Sequence, residues 1–297
     1  MRKGITAVIT LMVFLFTGIC FAGDTVKIGV LAKRGPEKAL KKWKATGDYL
    51  TTRLEGKKVD IIPLGFDKVF PAIEKGDVDF FLVNSSMFVT AEIKYGAKPV
   101  LTMIKSRQGQ ALKSFGGVIF TNASNAAVNS LEDIKGKKFM AVKKSCFGGW
   151  QMALKEFVDA GMDPAKDFAS VVYGGKHDNV VLAVKNGTVD VGTVRTDTLE
   201  RMAAAGTIKM EEFKIIHKQE HRDFPFVCST RLYPEWPLAK VAKTPDSLVH
   251  EVAAALKQIK PEDPAAKAAK IVGWTDPLDY SPVEELQKEL RIGAYAH

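Results

Sequence analysis

The sequence predicts an α/β protein of two lobes, because strand and helix patterns alternate along it and one helix-to-strand unit is written twice. Ala72-Ile73-Glu74-Lys75-Gly76-Asp77-Val78-Asp79 is echoed by Ala183-Val184-Lys185-Asn186-Gly187-Thr188-Val189-Asp190, 111 residues downstream. Strands alternating with helices argue for parallel sheets covered by helices, and the offset is about one domain length. With 297 residues, 46% hydrophobic and 26% charged, the chain can bury two cores of ordinary size.

The elements follow in order. Residues 25–32 (TVKIGVLA) alternate into a β-branched run and read as a strand, and Ala39, Leu40, Trp43, Tyr49, Leu50 and Leu54 recur near helical spacing. Residues 58–65 give a second strand and 66–76 a short helix stopped by Gly76, which suits a left-handed cap. Residues 77–86 (DVDFFLVNSS) are apolar as a central strand covered on both faces would be. The grammar restarts at Ser130 with a short helix, then the strand 137–142, a helix from Gly149 to Gly161, a strand at 168–175, a helix at 177–187 and a strand at 188–194. In the tail, 224–232 (FPFVCSTRL) reads as a strand, and 244–259 and 282–292 as helices with Pro245 and Pro282 at their starts.

Met1-Arg2-Lys3 followed by an apolar run and the small residue Ala22 reads as an export leader over residues 1–22, with a retained membrane anchor as the alternative. The expected location is the periplasm or another exported compartment. Cys146 and Cys228 remain in the mature chain, as one bridge or as two thiols. The formal charge of +9 drops by two with Arg2 and Lys3. The excess favours anionic partners. The lysines are scattered without aromatic interleaving, so the reading is of no nucleic-acid partner.

Ligands of open parallel sheets bind beyond the carboxyl ends of the strands. That singles out Asn84, Ser85 and Ser86 in one lobe and Arg195, Thr196 and Asp197 in the other, although each set could also be ordinary helix caps. Gly148 and Gly149 join a strand to a helix, where free amides and the helix dipole would favour an anion, or simply form a tight turn. His177 stands at another strand-to-helix handover. Two enzyme readings stay in view. One is zinc held by His217 and His221 with Glu220 as base, in the string HKQEH. The other is a hydrolase or redox enzyme using a Cys146 nucleophile with His177. Neither a cofactor nor a resident metal is expected.

With these residues, most of the mature chain resembles the phosphate/phosphite/phosphonate-binding family of ABC-transporter periplasmic substrate-binding proteins. The resemblance is most specific over HDNVVLAVKNGTVDVGTVRTDTLERM, residues 177–202. It implies a type 2 periplasmic binding fold: lobe one from 23–112 and 224–297, lobe two from 113–223, two crossovers and a ligand cleft between them. Carried over by position, the family's histidine is His177, its first acid Asp197 and its glycine Gly149. The chain departs elsewhere. The family's hydroxyl turn falls on Cys146-Phe147-Gly148, leaving Ser145 as the neighbouring hydroxyl; its two tyrosines fall on Phe66 and Val83, and its second acid near Phe224, with Asp223 adjacent. Lost hydroxyls weaken oxyanion binding by about 1.5–3 kcal/mol each, and Arg195 could compensate through a bidentate contact. The implied function is a monomeric, non-enzymatic receptor for a small anionic solute. Its membrane partner, met in trans, is an ABC permease or alternatively a sensor kinase.

Overall fold

A computed structural model describes residues 24–296, so the leader expected at 1–22 lies outside the described residues. The chain begins with β1 (Thr25–Leu31), α1 (Pro36–Thr51), β2 (Lys58–Leu64), α2 (Val69–Lys75), β3 (Phe80–Leu82), α3 (Ser85–Tyr95), β4 (Lys98–Arg107) and β5 (Gln110–Leu112). It continues through β6 (Ser114–Phe115), β7 (Gly117–Asn122), β8 (Lys138–Ala141), α4 (Met152–Asp159), α5 (Pro164–Asp167), β9 (Ser170–Tyr173), α6 (His177–Lys185), β10 (Val191–Arg195), α7 (Thr198–Ala204) and β11 (Phe213–Ile216). It closes with β12 (Tyr233–Pro234), β13 (Pro237–Lys240), α8 (Asp246–Lys257), α9 (Pro264–Ala269), β14 (Ile271–Thr275) and α10 (Ser281–Leu290). Among the described residues, no helix is long and apolar enough to cross a membrane.

One sheet of seven described strands runs β14-β4-β13-β3-β1-β2 with β5 paired to β4; the other, of five, runs β11-β7-β10-β8-β9. Each has the expected parallel centre, β2-β1-β3 in one and β10-β8-β9 in the other. Antiparallel strands flank both centres, a departure from the all-parallel expectation that comes from the hairpin β4-β5 and the crossing strands β7 and β13. The two passages between the sheets pair with each other as the ribbon β6-β12, Phe115 opposite Tyr233.

The repeated sequence has a physical explanation. Gly76 and Gly187 both take left-handed φ, 65° and 68°. Each is followed by the same pair of bonds: Asp77 N–H to Ala72 C=O and Gly76 N–H to Ile73 C=O, then Thr188 N–H to Ala183 C=O and Gly187 N–H to Val184 C=O. This is the glycine helix stop that satisfies two orphan carbonyls. The aspartate that ends each echo then clamps the neighbouring strand. The Lys27 amide donates to the Asp79 carboxylate and the Lys138 amide to that of Asp190, both at 2.8 Å. The Asp79 and Asp190 amides donate back to the carbonyls of those same lysines.

Strand alternation divides the apolar side chains between helical layers on both sheet faces. Phe80 and Leu82 join Val26, Ile28, Trp43 and Leu50 on one face of the first sheet, and Phe81 joins Ile73 and Phe88 on the other. In the second sheet Phe139 packs among Trp150, Phe157 and Phe168. The strand expected at 224–232 does not form. There the backbone bonds to β7 largely through hydroxyls: Ile119 N–H donates to Ser229 Oγ and Gly117 N–H to Thr230 Oγ1, both at 2.9 Å. The sequence pattern did not resolve α3 and β4; Asn84 ends the third strand early because it caps α3.

Asp79→Ala and Asp190→Ala should each lower stability by about 1 kcal/mol, the typical net worth of a hydrogen bond. The double variant should lose the sum, since the two clamps share no partner. Urea titration checks this, and a negligible loss in either single variant would remove the clamp from the account.

Candidate ligand-binding site

Residues that follow strand ends in both sheets converge on one cavity of about 30 Å³, lined among others by Phe66, Asn84, Cys146, Gly148, His177 and Arg195. That is room for about one water, so the lobes are closed on each other.

Arg195 is the last residue of β10 and is 7% exposed. Its fork grips the fully buried Glu235, with Nη1 3.3 Å from Oε2 and Nη2 bonded to Oε1. The guanidinium lies 3.9 Å over the Phe115 ring, and its Nε is 3.6 Å from Asp197. Burial opposes the charge of Arg195, but Glu235 and Asp197 outweigh it and keep the group charged. Burial would likewise raise the pKa of Glu235, and Arg195, Arg107 and Lys105 reverse this to hold it below the usual 4.5. Arg107, at the end of β4, reaches Asp197 at 3.1 Å and so ties the two sheets across the cleft.

The two guanidiniums are matched by two carboxylates, and lysines come in addition. Lys33 Nζ stands 5.0 Å over the Trp236 ring, and Lys105, 3% exposed, donates to the Ala269 carbonyl at 2.9 Å. Burial, then Lys42, Arg195 and Arg107, lower the Lys33 pKa to about 7, and burial with Lys42 and Arg107 drives that of Lys105 down as well. The Nε atoms of Arg195 and Arg107 are buried without a hydrogen-bond partner. The arrangement is a cluster of basic side chains, the guanidiniums charged and paired and the lysines pushed toward neutrality, with unused donors.

His177 Nδ1 accepts the Arg195 backbone N–H at 3.2 Å, which puts the ring proton on Nε2, 3.8 Å from Cys146 Sγ. Burial, then Lys33 and Arg195, hold His177 well below 6.5, and burial raises the Cys146 thiol. A ring nitrogen that carries a proton cannot remove one from the thiol, so the nucleophile reading fails on geometry. The zinc reading fails too. His217 and His221 lie in a loop rather than one helical turn apart on a helix. His217 faces Glu156 at 3.2 Å, and His221 the Thr230 carbonyl at 2.8 Å. Among the described residues, no three His, Cys, Asp or Glu side chains are grouped to hold a metal.

Other expected residues serve the scaffold. Asn84 Oδ1 accepts the Met87 amide as a cap while still lining the cavity. Ser85 donates to the Pro234 carbonyl, Ser86 accepts from Gln287, and Thr196 accepts the Gly116 amide. None of these three, nor Ser145, lines the cavity. Gly148 and Gly149 lie in a π-turn over residues 147–151 ahead of α4. A Cβ on Gly148 would stand 2.8 Å from the Phe115 ring, and one on Gly149 2.5 Å from Val142, so close packing requires both glycines. Both thiols are free. Asp223 sits in an exposed turn, and the cleft's second acid is Glu235 instead. Sequence reasoning missed Glu235, Lys33, Lys105, Arg107 and Trp236. Lys33 could have been found, since it follows β1 as Asn84 follows β3.

Glu235→Ala strands a buried guanidinium and should cost about 3–5 kcal/mol in urea titration; a loss below about 1 kcal/mol would mean the pair does not hold the lobes. The low pKa of His177 favours its neutral form in the fold, a contribution complete above 6.5 and lost as pH falls below it. That of Glu235 is complete above 4.5 and lost as pH falls through its lowered value. Thermal melts should therefore weaken from pH 7 to pH 5, and His177→Gln should flatten that slope.

A family model described as "ABC transporter, phosphonate, periplasmic substrate-binding protein" matches residues 28–282. The tetrathionate sensor histidine kinase TtrS of Salmonella typhimurium is 28% identical over 90% of this chain, and the phosphate-import protein PhnD of Mycolicibacterium smegmatis 26% over 60%. The chain spans 44% and 58% of the lengths of those two proteins. The structure of PhnD1 from Prochlorococcus marinus, in complex with methylphosphonate, superposes with a TM-score of 0.70 at 17% identity, covering 91% of this chain and 99% of that one. That likeness fixes the fold, a two-lobed periplasmic binding protein. With a match over most of its length, the chain belongs to the family of periplasmic phosphonate-binding proteins of ABC transporters.

Proposed function

We propose that this solute-binding protein is exported, cleaved near Ala22, and captures a small oxyanion between lobes hinged at the β6-β12 ribbon, without catalysing a reaction. The carrying observation is the basic wall of the cavity, where Arg195 is balanced by Glu235 while Lys33, which titrates at about 7, adds a further cation when protonated. The bonds of Ser229 and Thr230 to β7 support a second lobe that runs to about residue 231, past the boundary expected at 223. The ligand contacts assigned are Phe66, Asn84, Cys146, Gly148, His177 and Arg195, with Lys33 and Trp236 added. Family membership supports delivery to an ABC permease by a monomeric receptor. A second reading, a sensing accessory for a membrane kinase, draws on the Salmonella relative. ATPase stimulation in a reconstituted permease separates the two.

A thermal-shift screen of residues 24–297 against phosphate, phosphite, methylphosphonate, methanesulfonate and tetrathionate tests the ligand class. A ligand at ~100 times its dissociation constant stabilises by about 2.7 kcal/mol. At least one oxyanion should raise Tm, and a response to neutral solutes alone would overturn the reading. An anion beside Lys33 raises the lowered pKa of that ammonium, so binding takes up protons and weakens as pH rises through about 7. Calorimetry in buffers of different ionisation enthalpy checks the uptake; proton release would contradict it.

A further inference from the structure

A second cavity of about 30 Å³ adjoins the first and shares Lys33, Phe66, Cys146 and His177 as a common wall. Building on the oxyanion reading above, we infer that the ligand is an elongated anion, with one charged end at Arg195 and a second, joined by an uncharged middle, in this adjoining cavity.

Three observations carry this. The adjoining cavity is lined by Arg34, Lys143 and Lys176 in addition to Lys33, and by no carboxylate. Lys143 Nζ lies 4.9 Å over the Phe66 ring, which places a cation at the shared wall. Asp178, in the first turn of α6, is engaged by Arg201 and also pairs with Arg34 at 3.7 Å. Next, α6 begins at His177 behind Lys176 with no side chain capping its free amides, so the positive end of a nine-residue helix adds to the lysines. Last, three of the four residues common to both cavities, Phe66, Cys146 and His177, are uncharged, with Lys33 as the fourth. The His177 tautomer fixed by the Arg195 amide gives an uncharged ring, and burial keeps the thiol beside it protonated, so these side chains offer the ligand's middle an uncharged surface beside Lys33. A single-headed oxyanion at Arg195 would leave Lys143 and Lys176 without an anion.

The test compares methylphosphonate with ethane-1,2-diphosphonate, and methanesulfonate with ethane-1,2-disulfonate, by calorimetry on the mature protein and on K143A/K176A. Both lysines are exposed, so the double variant should melt as the parent does. In at least one pair the two-headed probe should bind about tenfold tighter or more. The double variant should erase that advantage and leave single-headed binding within about twofold. Equal affinity within the pairs, or an advantage that survives in K143A/K176A, overturns the inference while leaving the oxyanion reading intact. If none of the four probes binds, the oxyanion reading falls and this inference with it.

Discussion

A guanidinium buried at the meeting point of two sheets is the constraint on which the rest of this structure depends. Arg195 ends β10, and an unpaired charge at that depth would cost several kcal/mol. The cost is offset from three directions: Glu235 from the return passage, Asp197 from the start of α7, and the Phe115 face from the outgoing passage. Each partner lies on a different segment, so pairing this one side chain fixes both passages against the second lobe. Gly148 follows from the same packing, because a Cβ there would press on the Phe115 ring and, at 3.3 Å, on Arg195 itself.

The closed lobes also set the charge state of the cluster. Within a low-dielectric cleft, charge is expensive and titratable groups shift toward neutrality. Lys105 and His177 both move that way, and the Cys146 thiol stays protonated. What persists as charge is what is paired, Arg195 with Glu235 and Arg107 with Asp197. The anion proposed to enter there would change that balance by stabilising the protonated form of Lys33. On the proposed reading, binding and proton uptake are then one event.

Much of the fold was legible because its signals are local. The glycine stops at Gly76 and Gly187, and the aspartates that follow them, are set by backbone geometry within a few residues, so the echo announced two similar units. The site was legible only in part. Strand ends pointed to Asn84, His177 and Arg195, which the structure brings together, but also to Ser85, Ser86 and Thr196, whose hydroxyls hold the scaffold. Nothing local separates a hydroxyl that braces the scaffold from one that binds a ligand. Glu235 lies between two prolines in Tyr233-Pro234-Glu235-Trp236-Pro237, and its role depends on a partner 40 residues away. Residues 224–232 looked like a strand from composition alone, yet hydroxyl contacts to β7 decided their conformation.

The central claim is that the anion enters beside Arg195, between the lobes. Trp236 lines that cavity beneath Lys33 and offers a direct reporter. Its emission should be measured while a chain of residues 24–297 is titrated with an oxyanion that raises its melting temperature, alongside Trp236→Phe as the silent control. The account predicts a saturable spectral change in the parent that is absent from the control. An oxyanion that stabilises the protein while leaving Trp236 emission unchanged would place the binding site elsewhere and contradict it.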